Sequence, residues 1–486
     1  MVQHATPARG TRTARSRGVA GVLVVTAVLA GLLLGGLVGP HGPRAAPPAG
    51  DPGPAADLAA AFGDPRGFGA VTAARVQDGV TTVATLGSAG VTPGPRARYE
   101  PGSIVKTFTA MLVADGVERG ELRLTDRVEV WLPELTGTPA GSVTLQELAT
   151  HTSGLPPATA AASLVPVLTN ENPYDISTAA LLDDARNAPL GERGGFAYSN
   201  LGFALLGHAH ARAAGAADWP ALLHERLLDP LGMTETSIRT DGPDPEVAPL
   251  LSNGWRAPSW WGEGFAPSGA AATTTATDLA RFADAVLAGR APGAAALEPL
   301  APAGGTDRIG LAWYVSEIDG RTVTWHNGGT GGHRSLIALD RERGEAVVVL
   351  NNTDRWADEQ GLALLTGGSS EEGPDTGVAL WVVTAVGVAA LAGSVVSLLR
   401  VRSRTHLGGG ILLGLFALVL LLTSGPWVVV PGPLWTASAA GWLAVVGLAV
   451  RRWRALPGRT PGRRTATELT TTLLAAVLLA LTVWAS

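Results

Sequence analysis

Five apolar runs, at about 19–39, 377–398, 409–430, 434–450 and 467–485, constrain this chain more than any other feature. Each is close to the roughly 20 residues that a helix needs to cross a bilayer. The basic residues between them set an orientation, because cytoplasmic loops retain Arg and Lys. Arg9, Arg12, Arg15 and Arg17 precede the first run, Arg400, Arg402 and Arg404 separate the second and third, and six arginines from Arg451 to Arg464 precede the fifth. The segment from Thr423 to Pro433 holds no basic residue, and Trp427 and Trp435 sit where interfacial aromatics would. Buried core helices have no reason to alternate loop charge in this way. The pattern predicts a multi-pass protein of the cell membrane, with residues 1–18 cytoplasmic and residues 40–376 and the C-terminus outside. The first run is longer than the apolar region of a typical signal peptide, which favours a retained anchor over a cleaved signal.

Charge divides the chain along the same lines. Residues 50–377 carry 22 Lys+Arg against 40 Asp+Glu, a net of −18, whereas the remainder is +13. An acidic segment of this strength repels phosphate backbones, so nucleic acid is excluded as its partner. The sequence has no cysteine. Disulfides, thiolate metal sites, cysteine nucleophiles and lipid anchors on cysteine are therefore all ruled out.

Residues 40–57 are rich in Pro, Gly and Ala and read as a linker, which leaves residues 58–366 for a folded extracytoplasmic domain. Its ends look like strands. Val71 to Val76 and Thr81 to Leu86 flank Asp78-Gly79, and Gly310 to Ile318 and Thr322 to His326 flank Asp319-Gly320. Ser335 to Asp340 and Ala346 to Asn351 flank Arg343-Gly344, a third hairpin signal. The middle, Leu122 to Leu300, is helical in character. The expected class is α/β in the α+β sense: four or five antiparallel strands drawn from both ends, with a helical subdomain beside them and transmembrane helices added.

Of the 36 Lys+Arg residues, Lys106 is the one lysine. A chain that uses arginine wherever a fixed positive charge suffices has kept one amine, and an amine has an accessible neutral form that a guanidinium lacks. Ser103 stands three residues earlier, where Pro101-Gly102-Ser103 opens a helix carrying Ile104, Val105, Phe108, Met111 and Leu112 at helical spacing, stopped by Gly120. One turn apart, the amine and the hydroxyl share a face, and the helix N-terminus favours an oxyanion forming at Ser103. An N-cap serine followed by a solvated lysine is the plain alternative. Tyr198-Ser199-Asn200 opens another apolar helix, and His326-Asn327-Gly328-Gly329-Thr330-Gly331-Gly332 ends a strand. Each of these two segments is weak evidence alone.

Taken in order, Ser-x-x-Lys, Tyr-x-Asn and His-x-Gly-Gly resemble the serine β-lactamase and penicillin-binding-protein superfamily. The class C branch, with its D,D-peptidase, D-aminopeptidase and esterase relatives, is the most similar. Glu100 to Thr109, Gly120 to Asp126, Leu145 to Pro156, Pro230 to Met233 and Thr275 to Phe282 also look like that branch. The resemblance covers about residues 60–355. It implies a β-lactamase/transpeptidase-like sheet and acyl transfer through an acyl-enzyme on Ser103, with Lys106 and Tyr198 managing the proton. It further implies that Asn200 holds Lys106 and a substrate amide, and that His326 and Gly328 shape the strand edge. The oxyanion falls between the backbone N–H groups of Ser103 and Gly329.

No cofactor or metal is implied; the expected partner is a small-molecule or peptide substrate. His326 stands where class C β-lactamases have lysine, which counts against efficient β-lactam hydrolysis. His333 and Arg334 replace a more usual aromatic-containing stretch. His151 reads as a structural loop histidine, and Arg334 as a less favoured carboxylate binder. Two other readings stay open at this level. One is a sensor acylated by its ligand that signals through the C-terminal spans, which the short basic loops disfavour; the other is a catalytically silent binding module.

Overall fold

The computed structural model describes residues 10–50, 52–88, 93–159, 171–242, 245–251, 253–368, 370 and 378–458. The chain divides into two units, one formed by Met1–Gly42 with Asp375–Ser486 and the other by Pro43–Pro374.

The second unit is built on a nine-stranded antiparallel sheet in the order β1-β3-β2-β11-β10-β9-β8-β7-β6. The strands are β1 (Ala45–Gly50), β2 (Val71–Gln77), β3 (Val80–Ser88), β6 (Ala301–Gly304), β7 (Asp307–Ile309), β8 (Tyr314–Ile318), β9 (Arg321–Gly329), β10 (Arg334–Asp340) and β11 (Glu345–Asn351). A separate two-stranded pair joins β4 (Ser237–Ile238) to β5 (Ala272–Thr273). The N-terminal hairpin β2–β3 reaches the C-terminal strands through β11, where Val348 faces Ala74. Both ends of the domain thus supply one sheet, as the hairpin signals predict. Asp78 and Gly79 have φ of 52° and 72°, and Asp319 and Gly320 have 51° and 71°, the left-handed pair that a tight primed turn demands.

Two features depart from the expectation. The segment read as a linker is folded: β1 pairs with β3, and helix α1 (Pro52–Ala61) buries Leu58 and Ala61, with Phe62 beside them, against the sheet. Its Pro and Ala content conceals this, because two buried apolar positions on a short helix make no visible period. The sheet is also wider than expected, since the very short β6 and β7 extend it beyond β8.

Helices cover both faces. Val347 and Val349 of β11 pack toward α1 and helix α5 (Asp358–Thr366). Ile337, Leu339, Val348 and Leu350 point the other way, into the larger core with helices α2 (Val105–Glu118), α3 (Asn200–Ala213) and α4 (Ala276–Leu287). Strand alternation divides the residues between these two cores.

The first unit holds four helical segments long and apolar enough to cross a membrane among the described residues: Val19–Val38, Leu380–Leu399, Arg404–Ser424 and Pro433–Val450. The run at 467–485 lies outside the described residues. The third span lies earlier than its apolar run suggests, because Ser403 caps it by accepting from the His406 N–H and Gly425-Pro426 ends it. The first and fourth of these helices pack antiparallel. Gly31 lies against Ala437, Gly35 against Pro433 and Gly39 against Gly432, and the Thr436 hydroxyl donates to the Gly31 carbonyl at 2.8 Å. Close approach of this kind needs residues without bulk.

Candidate active site

Ser103 sits in a one-turn 3₁₀ segment, Gly102–Ile104, that leads into α2. Gly102 has φ +52°, and a Cβ there would lie 2.6 Å from the Gly329 backbone nitrogen. Glycine is required on both grounds, and its use lets the nucleophile turn lie directly on the end of β9. The Ser335 hydroxyl donates to the Pro101 carbonyl at 2.6 Å and ties the same turn to β10.

Lys106 is fully buried, and its Nζ lies 2.9 Å from Ser103 Oγ and 2.5 Å from the Ser268 carbonyl, to which it donates. Burial drives its pKa well below the ordinary lysine value, with no carboxylate to offset it. A neutral amine here can donate an N–H to the Ser268 carbonyl and turn its lone pair to the Ser103 hydroxyl to take its proton. Tyr198 lies beside it, with Nζ 5.1 Å from the ring centroid. Burial raises the tyrosine pKa, and the Ser103 hydroxyl only partly counters this. The phenol therefore keeps its proton at neutral pH, while the lysine is the group ready to accept one.

Ser199 caps α3 by accepting from the Gly202 N–H, which sets Tyr198 and Asn200 at the mouth of that helix. Asn200 is turned elsewhere than the sequence suggests: its Nδ2 donates to the Tyr174 hydroxyl at 2.9 Å, while Lys106 is met by Ser103 and Ser268. His326 is likewise not a cleft residue. It lies opposite Ile337 on the inner face of the sheet, fully buried, with its ring 6.5 Å from that of Tyr198 and its Nδ1 2.5 Å from the Asn327 carbonyl. Burial and the nearby Lys106 lower its pKa to about 3, so the imidazole is neutral. Alternation along β9 explains the difference: it turns His326 and Gly328 toward the core that holds α2 and α3, with His326 behind Lys106 and Tyr198, whereas Asn327 and Gly329, which line the cleft, belong to the alternate face, where Asn327 Nδ2 donates to Asp358 at 2.6 Å.

His151 is buried behind Tyr198, with ring centroids 4.3 Å apart, and its Nδ1 accepts from the Ser199 N–H at 3.1 Å. It thus orients the Tyr198–Asn200 turn, a more specific structural role than its sequence context reveals.

These groups open on a cleft of about 240 Å³ lined by Ser103, Tyr198, Asn200 and Gly329, and also by Tyr174, Trp260, Asn327, Arg334 and Trp356. Of the last five, Asn327 and Arg334 lie in or just after the His-x-Gly-Gly segment, whereas Tyr174, Trp260 and Trp356 carry no motif, and long-range folding alone brings Tyr174 to Asn200. Strand β8 begins at Tyr314, opposite Trp325, so residues 326–329 of β9 run past it with an open edge beside Ser103. Arg334 lies over the Trp356 ring at 4.5 Å and donates to the Thr330 and His333 carbonyls. Its Nε is buried without a partner.

Residues 55–367 match the Beta-lactamase family. The chain belongs to that family. Among curated relatives, it is 27% identical over 288 residues to penicillin-binding protein 4 of Amycolatopsis lactamdurans, covering 52% of this chain and 72% of the relative. It is 30% identical over 267 residues to the D-alanyl-D-alanine-carboxypeptidase/endopeptidase AmpH of Escherichia coli, covering 49% and 66%. A β-lactamase of Providencia stuartii shares 34% identity over 146 residues, a match that takes in 29% of this chain and only 34% of the relative. Among solved structures, a D-stereospecific amidohydrolase from Streptomyces matches with a TM-score of 0.55 at 24% identity, covering 65% of this chain and 99% of that one. A class C β-lactamase from Rhodobacter sphaeroides matches with 0.52 at 23%, covering 64% and 98%. The fold is that of the β-lactamases, and membership of the family supports a hydrolase.

Proposed function

We propose that the protein is a membrane-anchored extracytoplasmic serine hydrolase that works through an acyl-enzyme on Ser103. The observation that carries this reading is the 2.9 Å approach of Ser103 Oγ to an amine that burial keeps neutral. Ser103 Oγ attacks the substrate carbonyl and passes its proton to Lys106 Nζ; the negative charge that forms on the carbonyl oxygen is met by the backbone N–H groups of Ser103 and Gly329. Tyr198, still protonated, relays that proton to the leaving group, and water then releases the acyl group. An extended substrate lies along the open edge of β9, with Asn327, Tyr174 and Trp260 as its walls. Peptidoglycan-type peptides, D-amino-acid amides, β-lactams and small esters are the substrate classes that fit this chemistry.

The test is covalent labelling of the full chain in detergent with a fluorophosphonate and a fluorescent penicillin. Label on Ser103 that vanishes in a folded Ser103→Ala variant is expected; label on another serine, or turnover that survives the substitution, overturns the assignment.

Arg334 favours substrates with a carboxylate near the scissile bond, since its side chain lines the cleft, stacked on Trp356. Arg334→Gln should raise KM for a carboxylate-bearing peptide about tenfold or more, while a neutral aryl ester is hydrolysed as before. Equal effects on both substrates would remove Arg334 from recognition.

The antiparallel packing of the first span on the fourth supports the orientation read from the arginines, because it brings Gly39 and Gly432 to the same end. Reporters inserted at Gly373 or fused after Ser486 should be extracytoplasmic, and those at Arg402 and Arg459 cytoplasmic. If the Gly373 and Arg402 reporters give the same side, the topology is wrong.

A further inference from the structure

Glu100 and His333 form a buried pair that the acyl-transfer chemistry does not use. Their side chains are 1% and 0% exposed, and His333 Nδ1 lies 3.7 Å from Glu100 Oε2. His333 Nε2 lies 3.0 Å from the Val247 carbonyl, which can only accept, so Nε2 carries a proton. The other nitrogen faces Glu100. Burial pushes the Glu100 pKa up, but His333, Ser259 and Thr330 outweigh it and hold the carboxyl below its ordinary value. Nδ1 thus faces a carboxylate oxygen across 3.7 Å of protein interior and has no hydrogen-bond partner of its own among the described residues. His333 is thereby held between the Val247 carbonyl and the Glu100 carboxylate.

The place of this pair gives it a consequence for catalysis. Glu100 stands three residues before Ser103, and His333 four residues after Gly329, on the turn whose Thr330 N–H donates to the His333 carbonyl at 3.1 Å. One member is fixed to each half of the site where the oxyanion would sit. Among the described residues, Ser335 to Pro101 and Gly102 against Gly329 also tie the halves, through contacts without charge.

We infer that Glu100 and His333 are positioning residues, a buried facing pair that holds the nucleophile turn in register with the end of β9. The inference rests on Ser103 being the nucleophile, so its test includes a readout that does not need activity. Glu100→Gln keeps the side-chain volume and removes the carboxylate that His333 faces; Glu100→Gln with His333→Gln replaces both members by amides and retains an N–H for Val247. Breaking one member of a buried pair is far more costly than replacing both.

In the full chain, Glu100→Gln should slow fluorophosphonate acylation of Ser103 about tenfold or more, with the concentration dependence unchanged. It should also speed hydrogen exchange of the amides at 102–106 and 328–331. The double variant should recover most of both losses. Unchanged exchange and acylation in Glu100→Gln, or a double variant as impaired as the product of the single variants, overturns the positioning role. Faster exchange in a protein that never labels at Ser103 would instead overturn the nucleophile assignment and leave the pair standing.

Discussion

Lys106→Arg is expected to slow acylation of Ser103 by at least about 100-fold, the scale on which loss of a general base is felt. The substitution keeps positive charge and removes the neutral form, since a guanidinium does not deprotonate in proteins. Lys106 is fully buried and lies between Ser103 Oγ and the Ser268 carbonyl, with no carboxylate beside it. Arginine there would bring a permanent, unpaired charge and a wider planar head into a closed space, so thermal stability falls together with activity. Lys106→Met separates the two effects: it fits the space without charge, should fold at least as well as the arginine variant, and should be equally inactive. Tyr198→Phe should also lose activity, and combining it with Lys106→Met should cost far less than the product of the two losses, because the pair acts as one unit. Acylation by the arginine variant at near wild-type rate would end the proton-transfer role of Lys106.

That lysine was legible in the sequence because of composition: one amine among 35 arginines, one helical turn from a serine. Its burial was not legible, since the residues that close over it, Phe203 and Ser268, come from segments about 100 and 160 positions away. Local signals behaved in the same way elsewhere. Asp-Gly turns located the hairpins, since two successive positive φ values have few solutions in sequence. The pairing of β2 with β11 needed both ends of the domain to be recognised as one sheet, and the motifs carried by strand ends supplied that. Asn200 was found by its motif, yet its partner Tyr174 lies on a segment with no pattern of its own. For the same reason residues 40–57 read as a linker although β1 and the first turns of α1 lie there: the apolar residues of this region become a core only once β3 is beside them.

Gly328→Ala tests how closely the oxyanion geometry depends on backbone contact. Gly328 has an ordinary φ, so alanine introduces no strain of its own in the backbone. The added methyl would overlap the Pro101 carbonyl oxygen and the Ser335 hydroxyl, the two atoms whose hydrogen bond ties the nucleophile turn to the sheet. Backbone cannot yield as a flexible side chain does, so the Pro101-Gly102-Ser103 turn must move away from β9. Overpacking of this kind costs about 1–3 kcal/mol, which leaves most domains folded. The chemical effect is larger, because the donors on Ser103 and Gly329 serve the oxyanion only if both point at one position. Acylation should fall about 100-fold or more, in line with the removal of one oxyanion donor. Lys106 and Ser103 share a helical turn and move together, so the proton-accepting pair stays intact and the pH dependence of the residual rate should match that of the unaltered protein. A full rate of acylation in a folded Gly328→Ala chain would show that the Ser103 and Gly329 amides do not form the oxyanion site.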